Sequence, residues 1–286
     1  MTSITRKSCK IFLRVKKHQR EILKAIILAA GEGKRLRPLT DEKPKCLVEL
    51  FGKSLLEWQI EVFRSCNVKD IAIVTGYHNE KIVFPNLTYF HNKKYDKTNM
   101  LESLLCARSF LTGDVIVSYG DIIFEKKVLE ELIKSKFDLS VTVDKNWKNL
   151  WERRFKEPLI DAESLVIDKS SFISDIGQKV SRIEDICAQF IGLMKFSEQA
   201  LIEILAFYDK VKNQSKNGKN PLNSSLTLEK SFMTDFIQGL IKNGEKVAPV
   251  IVKNGWLELD SLKDYEMYCS MYNNGTISEF FSIKND

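Results

Sequence analysis

Residues 28–45, "LAAGEGKRLRPLTDEKPK", decide how this chain is read. They continue the apolar run Ala25-Ile26-Ile27-Leu28 and then set down two glycines, two prolines and five basic residues. An unbroken apolar segment such as 25–30 marks a strand buried on both faces, as in a parallel sheet. A strand that opens at once onto Gly31 and Gly33 presents backbone without Cβ atoms. Such backbone can wrap closely around a polyphosphate, its N–H groups turned inward. Two common glycine-rich loops fail here on particular residues. The dinucleotide pattern G-x-G-x-x-G meets Leu36 at its third position, and Pro38 obstructs the helix that should follow. The P-loop pattern needs a glycine where Leu28 stands and a hydroxyl where Arg35 follows Lys34.

Beyond this stretch, residues 55–66 place Leu56, Ile60 and Phe63 on one helical face. The alternation continues with a strand over 71–75, a helix over 100–111, a strand over 115–118, a helix over 127–134 and a strand over 139–143. Repeated strand-helix units of this length predict an α/β fold with a doubly wound, mostly parallel, Rossmann-like sheet and ligands at the carboxyl ends of its strands. Residues 147–197 break into shorter segments, among them "SLVIDKSSFISDIGQKVSRI", which predict a small antiparallel flap beside the main sheet. Helices over 198–211 and 229–243 flank the polar loop "KNQSKNGKNPLNSS", and "KVAPVIV", "GWLELD" and a helix from Ser261 follow. The expected organisation is an N-terminal extension (1–23), one catalytic-sized domain (24–272) carrying the flap, and a C-terminal tail (273–286).

A chain of 286 residues with 44% apolar content buries a full core. The six cysteines (Cys9, Cys46, Cys66, Cys106, Cys187, Cys269) form no CxxC pair and have no histidine partners at zinc spacing, which predicts reduced thiols and a cytoplasmic location. No stretch approaches the roughly 18 apolar residues of a bilayer span, and no apolar leader precedes a cleavage site, so membrane insertion and secretion are not expected. The net charge of +6 is localised: residues 1–24 hold eight Lys or Arg against Glu21, and the remaining 262 residues carry about −1. That argues against a nucleic-acid partner for the body of the protein. It leaves the extension as a solvated appendage or a polyanion or membrane-surface tether. His18, His78 and His91 stand beside no Ser or Cys in a triad-like pattern, which removes hydrolase readings.

The longer stretch "LAAGEGKRLRPLTDEKPKCLVELFGKSLLE" resembles the signature of the nucleotidyltransferase family of MobA-like and sugar-nucleotidyltransferase type. These enzymes attach a nucleoside monophosphate to a phosphorylated metabolite. The resemblance implies that Leu28, Ala29, Ala30, Gly31 and Gly33 line the nucleotide. It implies too that Arg35 grips its outer phosphates, and that Lys45 sits over the α-phosphate and the incoming phosphate. The charge fits such chemistry, because a triphosphate meeting a phosphate dianion needs more than glycine amides to balance it. At strand ends, "VIVSYGDI" brings Asp121 after Tyr119 and Gly120, which the resemblance implies also line the nucleotide, and "GWLELDS" brings Asp260. By the resemblance these two aspartates hold Mg²⁺, the expected cofactor; either also stands where a helix N-cap would. Gly76 and Tyr77, which close "IAIVTGY", fall where relatives receive the base. Lys97 and Asn99, in "KYDKTNMLESL", fall at a loop-to-helix junction, where Asn99 could read a pyrimidine edge, cap the helix, or do both.

The segment "VDKNWKNLWERRFKEPLIDAESL", with "CAQFIGLMKFS" after it, is similar to small cytidylyltransferases acting on aminoethylphosphonate, L-glutamine phosphate or phosphocholine. For a zwitterionic acceptor, Asp144, Asp161 or Glu163 could hold the ammonium and Trp147 and Trp151 could wall it in. Arg153 and Arg154 could take a carboxylate or phosphate, and Gln189 could make an amide contact. The alternative is a helix whose two tryptophans plug the core. The expected partners are CTP and a small phosphorylated or phosphonate metabolite; a homodimer is left open. The expected activity is CMP transfer with release of pyrophosphate, as a step toward decorating a surface glycan or lipid. A sugar-1-phosphate nucleotidyltransferase using UTP or dTTP and a non-catalytic nucleotide-binding module are the rivals.

Overall fold

The computed structural model describes residues 23–283. The basic N-terminal extension, apart from Leu23, and the last three residues of the tail lie outside the described residues. In chain order the strands begin with β1 (Lys24–Ala29), β2 (Glu49–Leu50), β3 (Lys53–Ser54), β4 (Asp70–Thr75), β5 (Thr88–His91), β6 (Val115–Tyr119) and β7 (Ile122–Phe124). They continue with β8 (Leu139–Asp144), β9 (Leu165–Ile167), β10 (Ile173–Ile176), β11 (Gln189–Phe196), β12 (Ala248–Val252) and β13 (Trp256–Glu258). The helices are α1 (Leu55–Ser65), α2 (Met100–Cys106), α3 (Lys126–Lys134), α4 (Trp147–Arg154), α5 (Glu198–Ser215), α6 (Met233–Lys242) and α7 (Leu262–Asn273).

Seven strands form the central sheet in the order β12-β8-β11-β6-β1-β4-β5. Strand β1 pairs in parallel with β4 and β6, β4 with β5, and β12 with β8; only β11 runs antiparallel, between β6 and β8. The mostly parallel, doubly wound sheet is therefore as expected. Period-two alternation splits β1 between two cores: Ala25, Ile27 and Ala29 face α1, α3 and α7, while Ile26 and Leu28 face α2, α5 and α6. Helix α1 starts where Ser54 and Glu57 cap it reciprocally. The five cysteines among the described residues are free, and no helix there is long and apolar enough to cross a membrane.

The chain departs from the sequence-based outline in five places. Two are helix ends: the helix expected over 100–111 stops at Cys106 and gives way to a 3₁₀ turn over Arg108–Phe110, and the one expected over 198–211 runs on to Ser215. Residues 189–196, expected in the flap, are the fully embedded strand β11; their run "FIGLMKF" is apolar on both faces apart from Lys195, and the antiparallel flap proper is the β9–β10 pair. The helix expected over 229–243 starts only at Met233, because Asp235 accepts from the Phe232 N–H and a separate 3₁₀ turn holds Leu228–Lys230. The tail, set apart at 273, folds back instead. Phe280 and Phe281 are buried, and Phe281 meets Trp58 edge-on at 5.7 Å and Phe51 at 6.3 Å.

Candidate active site

Two features of the backbone bring the charged residues of the opening together at the carboxyl rim of the sheet. Gly33 lies at φ +69°, and a Cβ there would stand 2.9 Å from the Lys45 Cβ, so glycine lets the Lys45 stem pass. The Thr40 hydroxyl closes the loop by donating to the Gly33 carbonyl at 2.8 Å. The second feature is the short antiparallel ladder β7–β13, which pairs Ile122 with Glu258, and beyond it the Leu259 N–H donates to the Asp121 carbonyl at 3.0 Å. Asp121 lies just before β7 and Asp260 just after β13, so the ladder sets residues far apart in sequence side by side.

Lys45 Nζ bridges the two carboxylates, 2.8 Å from Asp121 Oδ2 and 2.8 Å from Asp260 Oδ1. Arg35 reaches Asp260 at 2.7 Å from the solvent side. Burial works against the Lys45 ammonium, but Asp121 and Asp260 outweigh it and hold its pKa above the usual lysine range. Burial likewise opposes the Asp260 carboxylate, and Lys45 and Arg35 reverse this, holding it below the usual range. Asp121 Oδ1 is buried without a hydrogen-bond partner. A buried carboxylate oxygen left free beside a second carboxylate is a donor set suited to a hard cation such as Mg²⁺, which characteristically takes one or two carboxylates and completes its shell with substrate phosphates and water. No group of three or more His, Cys, Asp or Glu side chains suited to a metal exists among the described residues, so the protein would supply only part of such a shell.

Two cavities meet at this pair. The first, about 130 Å³, is lined by Leu28, Ala29, Ala30, Gly31, Asn99, Tyr119 and Gly120 from the expected nucleotide set, together with Lys45 and Asp121. Tyr95, Thr98 and Ser103 join them, beyond the residues expected from sequence; Tyr95 and Thr98 sit in the same "KYDKTNM" loop as Lys97 and Asn99. Asn99 caps α2 by accepting from the Met100 N–H, and it also lines the cavity. Gly33, Gly76, Tyr77 and Lys97 lie off the lining, Gly33 serving instead to let the Lys45 stem pass. Gly76 abuts the Ala30 carbonyl and Tyr95, Tyr77 donates to the Asp41 carbonyl at 2.9 Å, and Lys97 is exposed.

The second cavity, about 220 Å³, shares Met100, Tyr119 and Asp121 with the first and adds Trp151, Asp161, Glu163, Gln189, Phe190, Thr234, Trp256 and Glu258. A bulge in β11 opens it: Gly192, at φ +81°, lies flush against Tyr119, whose ring a Cβ would meet at 2.6 Å. Removal from water, with the like charges of Asp161 and Asp235, pushes the Glu163 carboxyl up to about 7, although the residue keeps an exposed edge at the cavity. Glu258 is also pushed up, by burial first; Arg154 opposes this and Asp121 and Asp260 add to it. Its position was legible in "GWLELD", two residues before Asp260 on the same face of an extended segment.

Five acceptor candidates, Asp144, Trp147, Arg153, Arg154 and Gln189, are placed differently from expectation. Asp144 is sewn into the fold, accepting from Trp256 Nε1 at 2.9 Å and from the N–H groups of Asn146 and Asn254. Trp147 packs in the core, edge-on to Trp151 at 5.8 Å, and only Trp151 reaches the cavity. Helical phase explains the arginines: position 154 shares the inward face of Trp147, Leu150 and Trp151, whereas Arg153 points outward, 3.8 Å from Glu279. Gln189 lines the cavity, but its amide is committed to the Glu163 backbone, donating to the carbonyl and accepting from the N–H.

Comparison with known proteins agrees with this architecture. The family described as the MobA-like NTP transferase domain matches residues 25–162. The chain is 38% identical over 258 residues to the CTP:phosphoglutamine cytidylyltransferase of Campylobacter jejuni, across 86% of this chain and 98% of that one. Among solved structures, the CTP:phosphocholine cytidylyltransferase from Streptococcus pneumoniae shares the fold with a TM-score of 0.65 at 24% identity, over 87% of this chain and 99% of that one. The inositol-1-phosphate CTP transferase from T. maritima does so with a TM-score of 0.65 at 20% identity, over 92% and 98%.

Proposed function

The chain belongs to the MobA-like NTP transferase family, and from that premise we propose that it transfers CMP from CTP to a small phosphorylated or phosphonate metabolite carrying an ammonium group. One observation carries the reading. Lys45 bridges Asp121 and Asp260 at the seam of two cavities, one glycine-lined and the other walled by Asp161, Glu163 and Glu258. The first suits a triphosphate and the second suits a cation, so a molecule with a phosphate at one end and an ammonium at the other would bridge them. CTP as donor follows the relatives' names: phosphoglutamine and phosphocholine enzymes both take it.

In the reaction, an oxygen of the acceptor's phosphate or phosphonate forms a bond to the α-phosphorus of CTP. The bond from that phosphorus to the bridging oxygen of the β-phosphate breaks, and pyrophosphate leaves. The attacking group is already ionised near neutral pH, so no general base is required. Lys45, charged throughout the working range, neutralises the crowded phosphates, and Arg35, largely exposed at the mouth, turns from Asp260 to the outer phosphates. Asp121 and Asp260 would hold Mg²⁺, which supplies charge neutralisation on the phosphate oxygens when bound. Trp151 and the carboxylates of Asp161 and Glu163 orient the acceptor's cationic end. A cytoplasmic location and a product destined for a surface glycan or lipid complete the reading.

The test is pyrophosphate release with each NTP, Mg²⁺ and a panel of aminoethylphosphonate, L-glutamine phosphate, phosphocholine and hexose 1-phosphates. Release with CTP and an ammonium-bearing acceptor is expected. Release with hexose 1-phosphates alone overturns the acceptor class, and release from no pair favours a nucleotide-binding module without turnover.

A further inference from the structure

Arg154 touches none of the reacting groups, yet its side chain is completely enclosed, 0% exposed. A guanidinium does not shed its charge in a protein, so a buried one persists only where carboxylates and ring faces compensate it. Here Nη1 donates to Glu258 Oε2 at 2.7 Å, while Nε and Nη2 donate to the two oxygens of Asp264 at 3.0 and 3.4 Å. The rings of Trp151 and Phe155 cover it, each centroid 5.1 Å from Cζ.

Each partner leads to a different half of the site. Asp264 Oδ2 also accepts from the N–H of Asp260 at 3.2 Å and of Ser261 at 2.8 Å, fixing the backbone that carries one of the paired carboxylates. Trp151 lines the acceptor cavity and donates Nε1 to Asp161 at 3.1 Å. Neither half needs Arg154 for its own local structure. The cap of α7 is complete in Ser261 and Asp264, and Trp151 is already wedged between Trp147 and Trp256. What the guanidinium adds is a fixed relation between the acceptor wall on α4 and the start of α7.

We propose that Arg154 is a positioning residue that holds the acceptor wall against Asp260 and so aligns the acceptor's phosphate with the α-phosphorus of the nucleotide. The inference rests on the transfer reaction above for its catalytic consequence, and on the fold alone for the coupling itself. A guanidinium fork cannot be replaced by the point charge of lysine, so R154K keeps the charge and loses the geometry. Misplacement by roughly 1 Å far from the reacting atoms costs about 10²-fold in rate.

The experiment compares wild type, R154K, D264N and, as a control on the outer face of α4, K148Q. Amide hydrogen exchange is read first, on the full chain without substrates. In R154K and D264N the amides of Asp260 and Ser261 and those of residues 147–155 exchange faster together, while K148Q matches wild type. Faster exchange on one side only, or on neither, overturns the coupling whether or not the enzyme turns over. Steady-state kinetics follow with CTP and the best acceptor. In R154K kcat falls and the acceptor KM rises, together lowering kcat/KM by about 10²-fold, with the CTP KM within about twofold of wild type. A folded R154K with wild-type kcat and acceptor KM overturns the alignment role, and if R154K does not fold, D264N decides on the same two readouts. A wild type without turnover counts against the transfer reaction instead, and the exchange result then decides the coupling by itself.

Discussion

At the scale of single residues, the site is a contest of charges around one ammonium. Lys45 stabilises two carboxylates that would otherwise repel each other in a partly dry cleft, while Glu258 presses a third against them. D121N removes one negative charge from that crowd and leaves Lys45 its pairing with Asp260. The folded state is therefore expected to be at least as stable as wild type by thermal denaturation, while pyrophosphate release falls by about 10²-fold or more, as when one electrostatic stabiliser of a transition state is removed. Loss of stability in parallel with activity would make Asp121 a structural aspartate. Glu163 gives a signed pH dependence. Its carboxyl titrates near 7, so it is neutral below that value and anionic above it. The facing groups are Asp161, Asp235 and the Thr234 hydroxyl, none of which supplies a competing cation. The KM of an ammonium-bearing acceptor is expected to fall as pH rises from about 6 to about 8, and E163Q is expected to flatten that profile without shifting the KM of CTP. An acceptor KM independent of pH in wild type would take Glu163 out of recognition.

At the scale of elements, periodicity reports some placements and is silent on others. The run Ala25 to Leu28 reads as a buried strand because each residue must satisfy one of two cores, and α1 reads from its apolar face and its Ser54 to Glu57 cap. The ladder β7–β13 does not read, because each partner is three residues long and their pairing joins segments more than 130 positions apart. Asp260 could be matched to Asp121 only through family resemblance. The phase of α4, by contrast, was available: counting four from Leu150 puts Arg154 inward and Arg153 outward. Both arginines attract a phosphate reading on charge alone, and charge carries no direction. The C-terminal segment is silent for another reason, since Phe280 and Phe281 form no repeat and gain their meaning only against Phe51 and Trp58. F281A is expected to destabilise the protein by about 3–5 kcal/mol, the usual cost of emptying a buried phenylalanine site, measured as a lower urea midpoint at unchanged slope. A change below about 0.5 kcal/mol, as at a surface position, would show the tail to be an accessory of the fold.

At the scale of the whole molecule, charge is divided between a basic N-terminal stretch and a nearly neutral body that holds its charges in one cleft. Every side chain assigned here to the nucleotide, the cation or the acceptor lies between Leu28 and Asp260, and the elements that aim them are complete from β1 onward. Long-range electrostatics could still matter, since a basic stretch raises the local concentration of anionic substrates. That contribution is screened over about 8 Å at physiological ionic strength, whereas the paired charges in the cleft lie within 3 Å of one another and are screened far less. A chain beginning at Ile22 is therefore expected to keep the full-length kcat, with any change confined to KM and vanishing at about 0.5 M salt. Adding a chelator in excess of Mg²⁺ should abolish pyrophosphate release in both forms alike, because the carboxylate pair is common to them. If truncation lowered kcat at high salt, residues ahead of β1 would have to contribute to the transition state itself. The assignment of the whole reaction to the cleft between β1 and α7 would then fail.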